Sequence, residues 1–359
     1  MSIPAFLLFL AGLGLLVGGA ELLVRGASRL AFAAGISPLI VGLTIVSYGT
    51  SSPELAVAVQ SAWASQPQLG LGNIIGSNIF NVLFVLGLSA AITPLIVSRQ
   101  LIRLDIPLMV GLSILVLIMG LDGQIGRIDG ILLTGGAIFY TIWLLRGVRG
   151  SKDAGGGANR KRSLFPLSIL SVLLGFALLI LGSDWLVDGA SMLARRFGVS
   201  ELVIGLTIVA VGTSLPEVAT SLLASIRKER DIAVGNVVGS NIFNILFVLG
   251  LAAALSPSGI PVPPEVIEFD LPVMIVVAVA CLPVVFPKRK ITRWEGMLFF
   301  GYYLAFTIYL ILEVTGHEFL DAFSTLMLYV VAPLTVVTLF VANYRALKAR
   351  PETTEENPG

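Results

Sequence analysis

Apolar residues along this chain come in long blocks separated by short polar connectors. A helix needs about 20 mostly apolar residues to cross a bilayer core, where lipid offers no partner to an unpaired backbone group. Eleven stretches qualify: residues 4–31, 38–64, 69–97, 104–121, 127–146, 164–194, 201–226, 232–255, 270–286, 291–313 and 322–344. Several are long enough to be tilted or broken. The first reads as a retained span and not a leader, because Met1-Ser2-Ile3-Pro4 has no basic residue and the apolar run is too long. Composition agrees with this pattern. Hydrophobic residues make up 56% of the 359 positions and charged residues 13%, and the mean hydropathy is +0.95. Soluble domains carry roughly a quarter charged residues, so this chain cannot cover a globular surface with polar groups. The lipid bilayer is its solvent.

The charges give the chain a direction. Of 23 Lys and Arg, twenty fall in alternate connectors: Arg25 and Arg29, Arg99 and Arg103, residues 146–162, 227–230, 288–293 and the C-terminal tail. The other three, Arg127, Arg195 and Arg196, fall on the opposite side. The positive-inside rule then predicts an inner or plasma membrane protein with its N-terminus outside and its C-terminus in the cytoplasm. A net charge of +1 offers no basic face for a nucleic acid. With one Cys (Cys281) and one His (His317), the chain cannot form an internal disulfide, a zinc cage or a Ser-His-Asp triad. No cofactor and no obligatory protein partner is evident.

The chain also repeats itself. Residues 42–89 laid over 205–252 at a constant offset of 163, without a gap, are identical at 25 of 48 positions. The likeness extends outward: Gly26-Ala27-Ser28 answers Gly189-Ala190-Ser191, Asp105 and Pro107 answer Asp270 and Pro272, and Arg127 and Gly130 answer Arg293 and Gly296. The expected fold is an all-α polytopic membrane protein of two five-helix repeats, ten core transmembrane helices, with an eleventh C-terminal transmembrane helix. The repeats are predicted at residues 1–146 and 164–315, joined by a flexible cytoplasmic linker at 147–163. The extra helix follows at 316–345 and an acidic tail, predicted to be disordered, at 346–359. Because five is odd, the second repeat crosses the membrane in the opposite sense to the first. Inverted repeats of this kind build secondary transporters, which hold substrate at the midplane where the halves meet.

The best-matched residues are polar. The second span carries Gly49-Thr50-Ser51-Ser52-Pro53-Glu54 and the seventh Gly212-Thr213-Ser214-Leu215-Pro216-Glu217. Glu54 and Glu217 are the only acidic or basic residues in the interiors of those spans, and a carboxylate at the bilayer centre costs at least about 2.5 kcal/mol unless it meets a pore or a partner. Each proline removes an amide proton and frees the carbonyl four residues back, at Gly49 and Gly212, so the helix is expected to open there. Thr50, Ser51, Thr213 and Ser214 place hydroxyls within a turn of the carboxylates. The third and eighth spans carry Gly72-Asn73, Gly76-Ser77-Asn78 and Asn81, answered by Gly235-Asn236, Gly239-Ser240-Asn241 and Asn244. Packing explains the glycines, and hydrogen bonding between helices is the simpler reading for Asn73, Asn78, Asn236 and Asn241. Ser77, Asn81, Ser240 and Asn244 lie deeper and read as ligands. All of these donors are oxygens, which suits hard cations such as Ca²⁺ and Na⁺. Two carboxylates balance one Ca²⁺ or offset two or more monovalent ions, and competition of unlike cations for one site gives exchange.

At these residues the chain resembles the cation/Ca²⁺ exchanger superfamily, and within it the prokaryotic sodium/calcium antiporters, over about residues 1–315. The resemblance implies alternating access, Ca²⁺ held by Glu54 and Glu217, and Ca²⁺ and Na⁺ sites completed by Thr50, Ser51, Ser77, Thr213, Ser214 and Ser240. It also implies carbonyl ligands around Ser47 and Ala210, and a gate formed by the first and sixth spans sliding across the core. Three features depart from the family's patterns. Position 244 is Asn where potassium-dependent members have Asp, the eleventh span lies outside the ten-helix core, and the linker is too short for a large regulatory domain. The expected function is electrogenic Na⁺/Ca²⁺ antiport, with Ca²⁺ driven out by Na⁺ influx. H⁺/Ca²⁺ exchange on the same fold is the alternative, and a passive cation channel is a more distant one.

Overall fold

The computed structural model of the chain describes residues 3–63, 67–147, 158–196, 210–285, 289–338 and 341. Nine helices among them are long and apolar enough to cross a membrane. These are α1 (Ile3–Ala34), α4 (Pro67–Ile92), α5 (Leu101–Gly120), α6 (Arg127–Gly147), α7 (Ala158–Arg196), α10 (Arg230–Leu255), α11 (Val266–Val285), α12 (Arg293–Val314) and α13 (Leu320–Thr338). The predicted second span is instead two shorter helices, α2 (Pro38–Thr50) and α3 (Ser52–Trp63), meeting at Ser51. The predicted seventh is likewise split into α8 (Ala210–Gly212) and α9 (Leu215–Ile226), and its residues 201–209 lie outside the described set.

The all-α fold is as expected, with four two-residue strands set in its connectors: β1 (Leu95–Ile96), β2 (Gln124–Ile125), β3 (Ile260–Pro261) and β4 (Lys290–Ile291). The predicted third span to residue 97 therefore ends as helix at Ile92. The end of the predicted linker is helical, since α7 is described from Ala158; residues 148–157 and the tail from 342 lie outside the described set.

The strands report on sidedness. β1 pairs with β4 and β2 with β3, both antiparallel. β1 and β4 flank the basic connectors at Arg99 and residues 288–293, whereas β2 and β3 lie in connectors poor in basic residues. Each ribbon thus ties together connectors that the charge pattern assigns to one face. Repeat-related strands also exchange partners, β1 answering β3 and β2 answering β4, so one ribbon maps onto the other.

Burial places the core around two helices. In α4 and α10, 78% and 83% of the most apolar window is buried, against 44% or less in every other crossing helix. α1 and α7 lie antiparallel along their lengths outside that core, with Leu10, Leu13, Val17, Leu170 and Leu173 exposed toward lipid. Close approach is set by glycines seven residues apart, Gly12, Gly19 and Gly26 on α1 and Gly175, Gly182 and Gly189 on α7. A Cβ on Gly19 would stand 2.8 Å from the Leu179 amide nitrogen, and one on Gly175 2.7 Å from that of Leu23. Small residues at such crossings let dispersion contacts form between backbones, the main source of helix affinity in lipid. α13 packs only on the outside, where Tyr302 of α12 donates to Thr335 at 2.7 Å.

Candidate cation-binding site

The two helix breaks make the site. Pro53 and Pro216 have no amide to continue the upstream helix, and the residues just before the restarts, Ser51 (φ −82°, ψ 10°) and Ser214 (φ −91°, ψ 6°), take nearly identical backbone conformations. Glu54 and Glu217 therefore fall in the first turn of α3 and α9. That position surrounds each carboxylate with free amides and the positive end of a helix dipole. The next pair of elements supplies width. α4 and α10 both pass into a π-helical stretch, Asn81–Leu86 and Asn244–Leu249, starting at the two asparagines read as ligands. A π turn displaces side chains from the ordinary helical rows, and such turns cluster at functional sites.

The side chains interlock across the repeats. Ser51 donates to Glu217 Oε1 at 3.1 Å, and Ser214 donates to Glu54 Oε1 at 2.9 Å. Ser240 and Ser77 complete the set, donating to Glu217 and Glu54 at 3.4 Å each. Thr50 donates to Asn236 Oδ1 at 3.1 Å and Thr213 to Asn73 Oδ1 at 3.2 Å, the same contact seen twice. Each carboxylate is thus held by a serine of the opposite repeat. Glu54 and Glu217 are both 0% exposed.

Only one oxygen of each carboxylate is occupied. Glu54 Oε2, Glu217 Oε2, Asn81 Oδ1 and Asn244 Oδ1 are buried with no hydrogen-bond partner. Buried polar atoms are nearly always paired, so an unpartnered oxygen on each of two buried carboxylates needs a physical reason. Two carboxylates with neutral amide and hydroxyl oxygens form an oxygen-only donor set, of charge −2 when both are ionised, which fits a hard cation.

Thr50, Ser51, Glu54, Ser77, Thr213, Ser214, Glu217 and Ser240 are joined at this site by hydrogen bonds, whereas Asn81 and Asn244 are fully buried one turn beyond Ser77 and Ser240 with no hydrogen bond to either carboxylate. Asn244 also donates to Asn78 Oδ1 at 3.1 Å, so one end of it is tied to α4. Ser47 is locked by its hydroxyl to the Gly42 carbonyl at 2.7 Å and the Asn236 carbonyl at 3.2 Å. Its own carbonyl accepts the Ser51 amide. Ala210 opens α8.

Two arrangements have no counterpart in the sequence reading. Asn236, which holds Thr50, is itself anchored through its amide to Ser221 at 2.9 Å. The repeat-related position of Ser221 is Ala58, so a comparison of the repeats passes over it. The carbonyl of Gly212, expected to be free for a cation, accepts the hydroxyl of Ser183 on α7 at 2.5 Å. That contact ties α7 directly to the break, and the related position on α1, Ala20, has no hydroxyl to do the same. Ser183→Ala is expected to lower the thermal midpoint, as loss of one buried hydrogen bond of about 1 kcal/mol implies. Thermal unfolding of the purified variant checks this.

Comparison with known proteins gives concordant matches. The family model described as sodium/calcium exchanger protein matches residues 4–146 and 167–312. The chain is 39% identical over 280 residues to inner membrane protein YrbG of Escherichia coli, covering 76% of this chain and 86% of that protein. It is 30% identical over 344 residues to the sodium/calcium exchanger MaX1 of Methanosarcina acetivorans, covering 85% and 98%. It superposes on the solved structure of a sodium/calcium exchanger from Methanococcus jannaschii with a TM-score of 0.74 at 32% identity, covering 85% of this chain and 97% of that one.

Proposed function

The chain belongs to the sodium/calcium exchanger family, a family of cation/Ca²⁺ antiporters, and from that premise we propose that it exchanges Na⁺ for Ca²⁺ at the Glu54–Glu217 site. The observation that carries this reading is the reciprocal Ser51–Glu217 and Ser214–Glu54 pairing, with the second oxygen of each carboxylate left unpartnered. One Ca²⁺ neutralises the pair. Its replacement by Na⁺ ions leaves the site near neutral again, so either load can cross the low-dielectric midplane. Two unlike cations that need the same carboxylates cannot bind together, and that competition couples their movements. The neutral hydroxyl and amide oxygens favour Na⁺ over H⁺ as the coupling ion, because a proton needs only the carboxylate while Na⁺ needs a shell of oxygens.

The placement of α1 and α7 outside the core that bears the site supports alternating access by their sliding across it. The positive-inside bias puts the N-terminus outside and the C-terminus in the cytoplasm, so inward Na⁺ movement would drive Ca²⁺ out. Proteoliposomes loaded with Na⁺ and diluted into Na⁺-free buffer should accumulate Ca²⁺, and an outward H⁺ gradient of equal size should not drive it. Accumulation driven only by H⁺ would keep the fold and move the coupling to protons.

Position 244 offers a test of selectivity. Asn244→Asp adds a third buried carboxylate and removes the amide that donates to Asn78. The variant is expected to change the Na⁺ or K⁺ dependence of Ca²⁺ exchange. Unchanged dependence on both ions would show that this side chain does not face them.

A further inference from the structure

A cavity of about 280 Å³ lies between α1 and the turn joining α9 to α10, lined by Val24, Arg25, Ser28, Arg29, Arg227 and Glu229. We propose that it binds the phosphate of an anionic glycerophospholipid headgroup. Three guanidiniums converge there. Arg25 and Arg227 both pair with a single carboxylate, Glu21, and Arg29 has no ion pair among the described residues. Glu229 is a second carboxylate in the wall, so three guanidiniums face two carboxylates and one positive charge is left over. Guanidinium forks match phosphate oxygens in two-pronged geometry, which a point-charge ammonium cannot do. The Ser28 hydroxyl is buried with no hydrogen-bond partner, which leaves a neutral donor in the wall of the same cavity.

The surroundings favour a lipid over a free anion. Leu10, Leu13 and Val17, all exposed, share one face of α1 with Glu21, Val24 and Ser28 at spacings of three and four. A headgroup in the cavity would lay its acyl chains along that apolar stripe. Basic cavities between spans at the membrane surface are a known form of anionic headgroup site. The cavity is also no by-product of duplication. At the offset of 163, Arg25 and Arg29 answer Asp188 and Met192, so the related end of α7 carries a carboxylate and a thioether in place of the two guanidiniums.

Because this site is scored by lipid binding without Ca²⁺, its failure is separate from failure of the antiport reading. The purified full chain, in a neutral detergent, is titrated with phosphatidylglycerol, phosphatidylcholine or inorganic phosphate, and bound lipid is counted by native mass spectrometry with thermal unfolding in parallel. Phosphatidylglycerol should be retained in preference to phosphatidylcholine. Arg29→Gln and Arg227→Gln should each weaken retention about fivefold, on the scale of one basic residue near an anionic surface. Arg29→Lys keeps the charge and serves should either glutamine variant fail to fold; it should retain lipid better than Arg29→Gln. Stabilisation by inorganic phosphate equal to that by phosphatidylglycerol would overturn the lipid assignment. Equal retention of the two lipids, or wild-type retention by the Arg29→Gln and Arg227→Gln double variant, would overturn the site itself.

Discussion

Glu217→Gln is expected to abolish Ca²⁺ transport while the protein still inserts and purifies, and Glu54→Gln is expected to do the same. Glutamine keeps the volume of the side chain and one acceptor oxygen, so the hydrogen bonds from Ser51 and Ser240, or from Ser214 and Ser77, survive the change. What is lost is one of the two negative charges, and with it the second carboxylate oxygen that has no protein partner. Removing one member of a buried charge set costs about 3 kcal/mol or more, equivalent to a loss of at least about a hundredfold in Ca²⁺ affinity. Uptake by proteoliposomes reads this directly, and size-exclusion behaviour of the same preparation confirms the fold. Normal uptake by either variant would mean that the carboxylates serve the structure and not the ions.

Gly182→Val is the second change with a large expected effect, acting through a helix that never touches the carboxylates. A Cβ at position 182 would stand 2.7 Å from the Leu16 amide nitrogen and 2.9 Å from the Gly12 carbonyl oxygen, both backbone atoms of α1 that no rotamer can move aside. Overpacking of a tight contact typically costs about 1–3 kcal/mol, and here the two added methyls wedge α1 from α7 along their shared crossing. Transport should fall at least about tenfold and the thermal midpoint should drop. Gly14→Ala and Gly18→Ala are the matched controls on α1, since nothing lies within 4 Å of a Cβ at either position. They should transport and unfold like the parent chain. Equal damage from all three would point to general helix effects in place of the close crossing.

The same glycines show how far the sequence can be read. Gly26 and Gly189 stand out in it as matched marks of the two repeats, but the seven-residue series from Gly12 to Gly26 and from Gly175 to Gly189 becomes meaningful only when α1 and α7 are laid against each other. The break at Ser51 is legible because proline chemistry is local, and Glu54, Ser77 and Ser240 are legible because a polar side chain in a membrane span needs a reason wherever it sits. The crossing of donors between repeats is not legible. Nothing in the spacing of Ser51 says that it serves Glu217 and not Glu54, three residues away on its own chain segment. Ser221 and Ser183 are missed for a related reason: duplication drew attention to positions that match, and both have alanine as their counterpart. The short strands escaped because two residues carry no periodicity, and their register is set by the helices on either side.

The central claim is that Ca²⁺ and the coupling cation compete for one site to which each repeat contributes a carboxylate. Equilibrium binding of Ca²⁺ to the purified protein, measured with and without Na⁺ in the parent chain and in Glu54→Gln and Glu217→Gln, tests it most directly. The account predicts Ca²⁺ binding that Na⁺ displaces and that either single substitution removes. Ca²⁺ binding that is indifferent to Na⁺, or that survives in both variants, would contradict it.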